Sequence, residues 1–457
     1  MLFKNIRYLD EDFQIAGPAY ILVEDSKIAQ ISEQEPEAYS GEVYEGKGEF
    51  LLPGLVNAHC HVPMTLLRGY GEGLPLQRWL EEKVFPFEDL LTDEDAYWGS
   101  LLGIAELLAS GCVSFTDMYM NLGGIIKAVE ESGIKANLTH GCAAPVGNPD
   151  FKNTNAYTGT MTILEHLKSN PQSRIKAELA LHAEYTSDEN TASTLLDFAK
   201  EQDLAIQLHI SETKKEHEEA KVRRQGRTPL RYFYDLGYFE RPLILAHGIW
   251  LEPGDYALIA EHYKDSFPEK NILDKVKNNQ SENKGMYAPI TLVHNPSSNL
   301  KLASGFANLK TWKETPGINI AIGTDGASSN NNLNMWEETY LASLLQKAVS
   351  GDAAFMGPEE SLKYATLGGR LAQGRSGGTI AEGEPADLIL VDLEDYATTP
   401  CYDPLANMLY AGDKHNIVMT MVDGNILYQD GEFKTLDIER VRAEVKRIAH
   451  EKNNALK

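Results

Sequence analysis

LPGLVNAHCH, residues 52–61, is a proline-glycine break followed by an apolar, β-prone run that stops on two histidines spaced two apart. Along a strand, residues i and i+2 point to the same side, so His59 and His61 aim one way. The same design recurs down the chain. Lys135–His140, Ile175–His182, Leu204–His209, Leu243–His247 and Ile290–His294 are apolar runs that each stop at a histidine. Two more, Cys112–Thr116 and Ile318–Thr324, stop at Asp117 and Asp325. Helical-looking stretches separate most of these runs. Eight strands alternating with helices predict a (β/α)8 TIM barrel, in which all strands end at one mouth and that mouth carries the active site. Residues far apart in sequence then converge as imidazoles and a carboxylate.

The rest of the chain is arranged around this barrel. Residues 1–52 read as short strands with a hairpin tip at Asp25-Ser26-Lys27. The barrel is expected over 53–372. The tail, 373–457, returns to strand patterning with tight-turn pairs Asp423-Gly424 and Asp430-Gly431, then closes on a charged helical stretch from Ile438. The two β-rich ends are expected to pair into one small β-sandwich domain. Between His262 and Pro289 a polar segment breaks the rhythm, and a surface loop is favoured there over an active-site lid.

Composition narrows the partners. Lys and Arg total 42 against 67 Asp and Glu, a net charge of −25. Such a chain repels phosphate backbones and anionic lipid, so neither nucleic acid nor a membrane is an expected partner. Cys60, Cys112, Cys142 and Cys401 form no CxxC pair and read as free thiols of a cytoplasmic protein. No apolar run approaches the ~20 residues of a membrane span, and MLFKNIRYLDEDF lacks a signal-peptide core.

His59, His61, His209 and Asp325 form a candidate ligand set of three neutral imidazoles and one carboxylate. It suits one divalent ion, Zn²⁺ or Fe²⁺, with a position left for water. Glu212, three residues past His209, can reach the mouth without being a ligand and is a candidate general acid and base. His247 is placed to hydrogen-bond the water or a developing charge. Each of these residues also has a plainer reading, as a satisfied polar group at a strand end or a solvated glutamate.

LPGLVNAHCHVPMTLLRG (52–69), LHISE (208–212), LAHG (245–248), VHNPSSNLKLASG (293–305) and GTDGASSNNNLNMWEE (323–338) follow one another as in the amidohydrolase superfamily, which the chain resembles over nearly its whole length. GGTIAEGEPADLILVD (377–392) is similar to that superfamily's return into its small β-domain. RWLEEKVFPFEDLLT (78–92) and NMWEETYLASLLQK (334–347) resemble the branch of 5-methylthioadenosine/S-adenosylhomocysteine deaminases. The resemblance implies a mononuclear site with zinc as the usual ion, a homo-oligomer, and hydrolytic deamination of an adenosine-type nucleoside to its inosine analogue and ammonia. Glu212, His247 and Asp325 would then be the catalytic residues. It further implies that Trp79 packs on the substrate, that Glu88 binds the ribose hydroxyls, and that His182 and Ser329 lie near the ring. Read from the residues alone, Trp79 is equally a core aromatic and Glu88 a surface carboxylate.

Two departures stand out. Relatives that take S-adenosylhomocysteine are expected to hold its carboxylate with arginines after the third strand. Here His140 occupies such a position and no arginine occurs between Arg78 and Arg174, which leaves Lys152 or a partner subunit as substitutes and favours a neutral tail. In LHAEYTSDE, Glu184 replaces a usual proline, and an acid there would raise the pKa of His182 or select another ring substituent. The alternatives left open are an amidohydrolase for a different aminated or chlorinated ring (guanine, a pyrimidine, a triazine) and an inactive barrel scaffold, which eroded ligands would mark.

Overall fold

The computed structural model describes residues 1–36, 39–46, 48–266 and 286–456. Eight parallel strands form the barrel. In order they are Leu55–His61, Cys112–Met118, Lys135–Thr139, a split fourth strand (Ile175–Ala177 and Leu179–Ala183), Ile206–Ile210, Leu243–His247, Ile290–His294 and Ile318–Ile322. Each pairs in parallel with the next. The ring closes just past the eighth strand, where Asp325 lies opposite Cys60 and Gly326 opposite His61.

The split in the fourth strand falls on Glu178, which continuous apolar patterning did not anticipate. Its buried carboxylate accepts from Asn137 on one neighbouring strand and from Gln207 at 2.6 Å on the other. A charge at that depth is tolerated because both oxygens are hydrogen-bonded.

The register brings the strand ends to one level. Ala183 lies opposite His209 and Ile210 opposite His247. Cys60 lies opposite Asp117. The histidines therefore converge through strand pairing, before any side-chain preference is considered.

Strands from both ends of the chain share one nine-stranded sheet. Phe50–Pro53 pairs antiparallel with Leu388–Val391, and Leu2–Leu9 extends the sheet beyond it. The two β-rich ends, expected to pair, do share this one sheet. Its hairpin tips carry the positive φ angles that tight turns need: 45° and 70° at Asp25 and Ser26, 47° and 74° at Asp423 and Gly424, and 51° and 84° at Asp430 and Gly431. Phe3, Ile21, Leu51, Leu388 and Met419 bury one face as a separate apolar core.

A buried ion cluster ties this sheet to the barrel. Lys135, on the third strand, reaches Asp387 and Asp423 at 2.6 Å each. Arg370 contributes a further contact to Asp387 at 2.5 Å. The closing helix Ile438–Ala455 packs against Asp93–Ala109, with Lys452 on Asp95 at 2.8 Å. Most of the polar segment expected as a surface loop, residues 267–285, lies outside the described residues. No helix among the described residues is long and apolar enough to cross a membrane.

Candidate active site

At the barrel mouth, His59, His61, His209 and Asp325 each present one ligand atom, and these atoms lie within 4.8 Å of one another. His61 Nε2 is 3.1 Å and His59 Nε2 3.7 Å from Asp325 Oδ1. His209 Nε2 is 3.3 Å from His61 Nε2.

Backbone carbonyls aim these rings. His61 Nδ1 lies 2.6 Å from the Met118 carbonyl and His209 Nδ1 lies 2.8 Å from the His182 carbonyl. Each contact assigns the proton to Nδ1 and turns the Nε2 lone pair inward. His59 Nε2 is buried with no hydrogen-bond partner. Asp325 Oδ2 accepts from Ser298 Oγ at 2.6 Å and Ser329 Oγ at 2.9 Å, which leaves Oδ1 turned to the imidazoles.

The electrostatics agree with a cation-binding cluster. Burial and the neighbouring His61 push His59 well below the ordinary histidine value. Burial and the surrounding imidazoles do the same to His209. Burial opposes charge on His61 too, but its contact with Asp325 wins and lifts it to about 9. Three nitrogens and one carboxylate oxygen, with an orphaned Nε2 among them, fit a divalent ion of the zinc type. Binding it would release the His61 proton.

Glu212 and His247 stand beside this cluster. Glu212 Oε2 is 3.8 Å from His247 Nε2, and its Oε1 accepts from Ser304 Oγ at 3.0 Å. The Glu212 backbone N–H donates to Glu216 Oε2 at 2.9 Å, and Ser211 N–H donates to Glu216 Oε1 at 3.1 Å. Glu216 is the N3 residue of a capping box on Lys214–Arg223, so the start of that helix fixes the loop carrying Glu212. His247 Nδ1 lies 2.8 Å from Asn299 Oδ1. Burial raises the Glu212 pKa, and the Asp325 charge adds to the rise against a pull from His247. Burial lowers His247, but Glu212 and Asp325 more than compensate, so it lies above its usual value. His247 and Asp325 also hold left-handed backbone, φ 72° and 59°. Non-glycine residues adopt that region sparingly, and strain of this kind clusters at functional sites.

A cavity of ≈ 240 Å³ opens over the cluster. Trp79, Glu88, His182, Glu212, His247, Asp325 and Ser329 all line it. Trp79 is also 5% exposed and part of the main apolar core, so it is a core aromatic that borders the cavity. The reading of Glu88 as a surface carboxylate is corrected: it is 6% exposed, and burial pushes its pKa to about 7 beside Tyr119. Ser329 reaches the site through its hydrogen bond to Asp325.

Glu184 does not act as its sequence position suggested. Its buried carboxylate turns away to Arg223 at 2.6 Å and Arg224 at 2.5 Å, both at the end of the helix Lys214–Arg223 that follows the fifth strand. His182 is accordingly not raised; burial and His61 push it down to about 4. Lys152, offered as a substitute cation, is largely exposed and pairs with Glu201 at 3.6 Å. The supporting residues Ser298, Asn299, Ser304 and Glu216 were not singled out from sequence. Three of them lie within the motif 293–305, where their hydroxyl and amide chemistry was the available signal.

The amidohydrolase family model matches residues 50–427. A 5-methylthioadenosine/S-adenosylhomocysteine deaminase of Acetivibrio thermocellus is 37% identical over 94% of both chains. One of Caldanaerobacter subterraneus subsp. tengcongensis is 36% identical over 98% of both. Among solved structures, a zinc-bound adenosine deaminase from Xanthomonas campestris superposes with a TM-score of 0.85 at 27% identity, covering 99% of this chain and 98% of that one. With the barrel, the ligand cluster and matches of this extent in hand, the chain belongs to the amidohydrolase family.

Proposed function

We propose that this chain is a metal-dependent hydrolase that deaminates an adenosine-type nucleoside to the inosine analogue and ammonia, with one divalent ion, zinc, held by His59, His61, His209 and Asp325. The observation that carries the reading is the pairing of that donor set with a buried Glu212–His247 couple at the wall of a cavity containing Trp79 and Glu88. Full-length relatives named as deaminases of such nucleosides support it. A divalent ion in this donor set supplies Lewis acidity and makes water nucleophilic near neutral pH.

The protein's own groups do the rest. Glu212, raised by burial, takes a proton from the attacking water and passes it to a ring nitrogen, which makes the amino-bearing carbon electrophilic. His247, fixed by Asn299, hydrogen-bonds the developing charge on the tetrahedral carbon's oxygen. Asp325, steadied by Ser298 and Ser329, helps move the second proton to the departing ammonia. Trp79 packs on the substrate, Glu88 accepts from the ribose hydroxyls, and His182 and Ser329 border the ring. In the same reading, residues 53–372 form the catalytic barrel, while 1–52 and 373–457 form a small β-sandwich, a division supported by the pairing of Phe50–Pro53 with Leu388–Val391.

The test is ammonia release by zinc-reconstituted protein from 5′-methylthioadenosine, adenosine, 5′-deoxyadenosine and guanine. Turnover of the nucleosides above the free base is expected. Turnover of guanine alone would refute the nucleoside reading.

A further inference from the structure

The cavity lining combines two chemically different sets of residues. One is the cluster of imidazoles with Glu212. The other comes from the last residue of the second barrel strand, Met118, and from the segments that follow the second and third strands, which supply Tyr119, Met120, His140 and Ala143. Among the described residues, the cavity lining includes four carboxyl side chains, Glu88, Glu212, Glu216 and Asp325, and no lysine or arginine.

Among the described residues, several cations on the surrounding elements already have acidic partners, Lys215 with Glu219 at 3.9 Å among them. Arg223 and Arg224 are held by Glu184. Lys301 pairs with Glu72 at 3.0 Å and donates to the Ser328 carbonyl at 3.1 Å. Lys152 sits on Glu201. His140 is no substitute, because burial lowers its pKa and keeps the imidazole neutral.

A carboxylate on the 5′ tail would lose hydration without gaining a lysine or arginine from the described lining, and buried unpaired charge is expensive. A thioether carries no such cost. It meets methionine sulfur and aromatic surface, which suit a soft apolar group. The named relatives carry both a neutral and a carboxylate-tailed nucleoside in their names, so the choice between them has to come from this chain's own lining.

Resting on the deaminase reading above, we infer that the site selects adenosine-type nucleosides with an uncharged, apolar 5′ substituent and rejects those whose 5′ tail ends in a carboxylate. The selecting surface is the wall of Met118, Met120 and His140.

The test compares kcat/KM for 5′-methylthioadenosine and S-adenosylhomocysteine on the same zinc-loaded full chain. A preference of about 100-fold or more for the methylthio compound is expected, about 2.7 kcal/mol at 1.36 kcal/mol per tenfold. His140→Arg should narrow that ratio at least about tenfold by raising turnover of S-adenosylhomocysteine, since a carboxylate then finds a bidentate partner. Calorimetric binding of the two products, 5′-methylthioinosine and S-inosylhomocysteine, gives the same comparison without turnover and should show the same order. Turnover of the two nucleosides within threefold, or equal affinity for the two products, would overturn the inference and leave the deaminase reading standing. Absence of ammonia from every adenosine-type nucleoside, with the metal present, would remove the reading on which it rests.

Discussion

Replacing Glu212 by glutamine isolates proton transfer from everything else the side chain does. The carboxyl is 6% exposed, takes a hydrogen bond from Ser304 Oγ at 3.0 Å and faces His247 Nε2 at 3.8 Å. Glutamine has the same length and shape. Its carbonyl oxygen can keep the Ser304 bond while the amide occupies the space toward His247. The backbone hydrogen bond to Glu216 does not involve the altered atoms. What glutamine cannot do is accept and return a proton. General acid–base catalysis contributes about 10²–10⁴-fold, so kcat should fall by that factor, about 2.7–5.4 kcal/mol on the barrier at 1.36 kcal/mol per tenfold. The assay is ammonia release at saturating 5′-methylthioadenosine, with metal content by mass spectrometry and thermal unfolding in parallel. Metal content and melting temperature should match the parent. A Glu212→Gln protein with kcat within tenfold of the parent would refute the acid–base role. Loss of metal would instead place Glu212 in the ligand set.

Three further perturbations probe the residues behind the site. Asn299→Ala removes the acceptor that holds His247 Nδ1 at 2.8 Å, and an orienting partner of this kind is worth about 10–100-fold in activity; unchanged kcat would show that the strained backbone at His247 suffices to aim the ring. Glu338, buried and accepting from Ser297 N–H at 3.2 Å and Asn330 Nδ2 at 2.7 Å, is pushed by burial from 4.5 to about 8. The folded state thus keeps a proton that the unfolded chain releases, so this group's contribution falls as pH rises between 4.5 and about 8. Glu338→Gln should flatten the decline in urea-unfolding stability across that window, and an identical pH slope would contradict the assignment. Glu184→Ala leaves Arg223 and Arg224 without their carboxylate, which should cost up to ~3 kcal/mol of stability, the low end for a broken buried pair because Arg223 is partly exposed. Ring preference, measured as the ratio of adenosine to guanine turnover, should not move; a switch would return Glu184 to the substrate.

The barrel was legible because burial on both faces forces near-continuous apolar runs on parallel strands, and eight such runs stood out against helical spacing. The convergence of His59, His61, His209 and Asp325 followed once the strands were counted, since barrel topology alone brings their ends together. Two things were out of reach for the same reason: a side chain's partners depend on neighbours remote in sequence. Glu178 interrupts the fourth strand only because Asn137 and Gln207 wait on either side to satisfy it. Glu184 sits two residues from His182, and sequence proximity pointed it at the ring. Its partners, Arg223 and Arg224, are some forty residues on. A carboxylate in a crowded mouth goes to the nearest guanidinium that can pair with it, because the unpaired alternative is a desolvated charge. That choice has a consequence for the cavity. With Glu184 and both arginines spent on one another, the wall near the fourth and fifth strands contributes neither an extra anion against the ring nor a free cation for a charged tail. Under the selection for an uncharged tail proposed above, Glu184 would act on specificity by what it withdraws from the site.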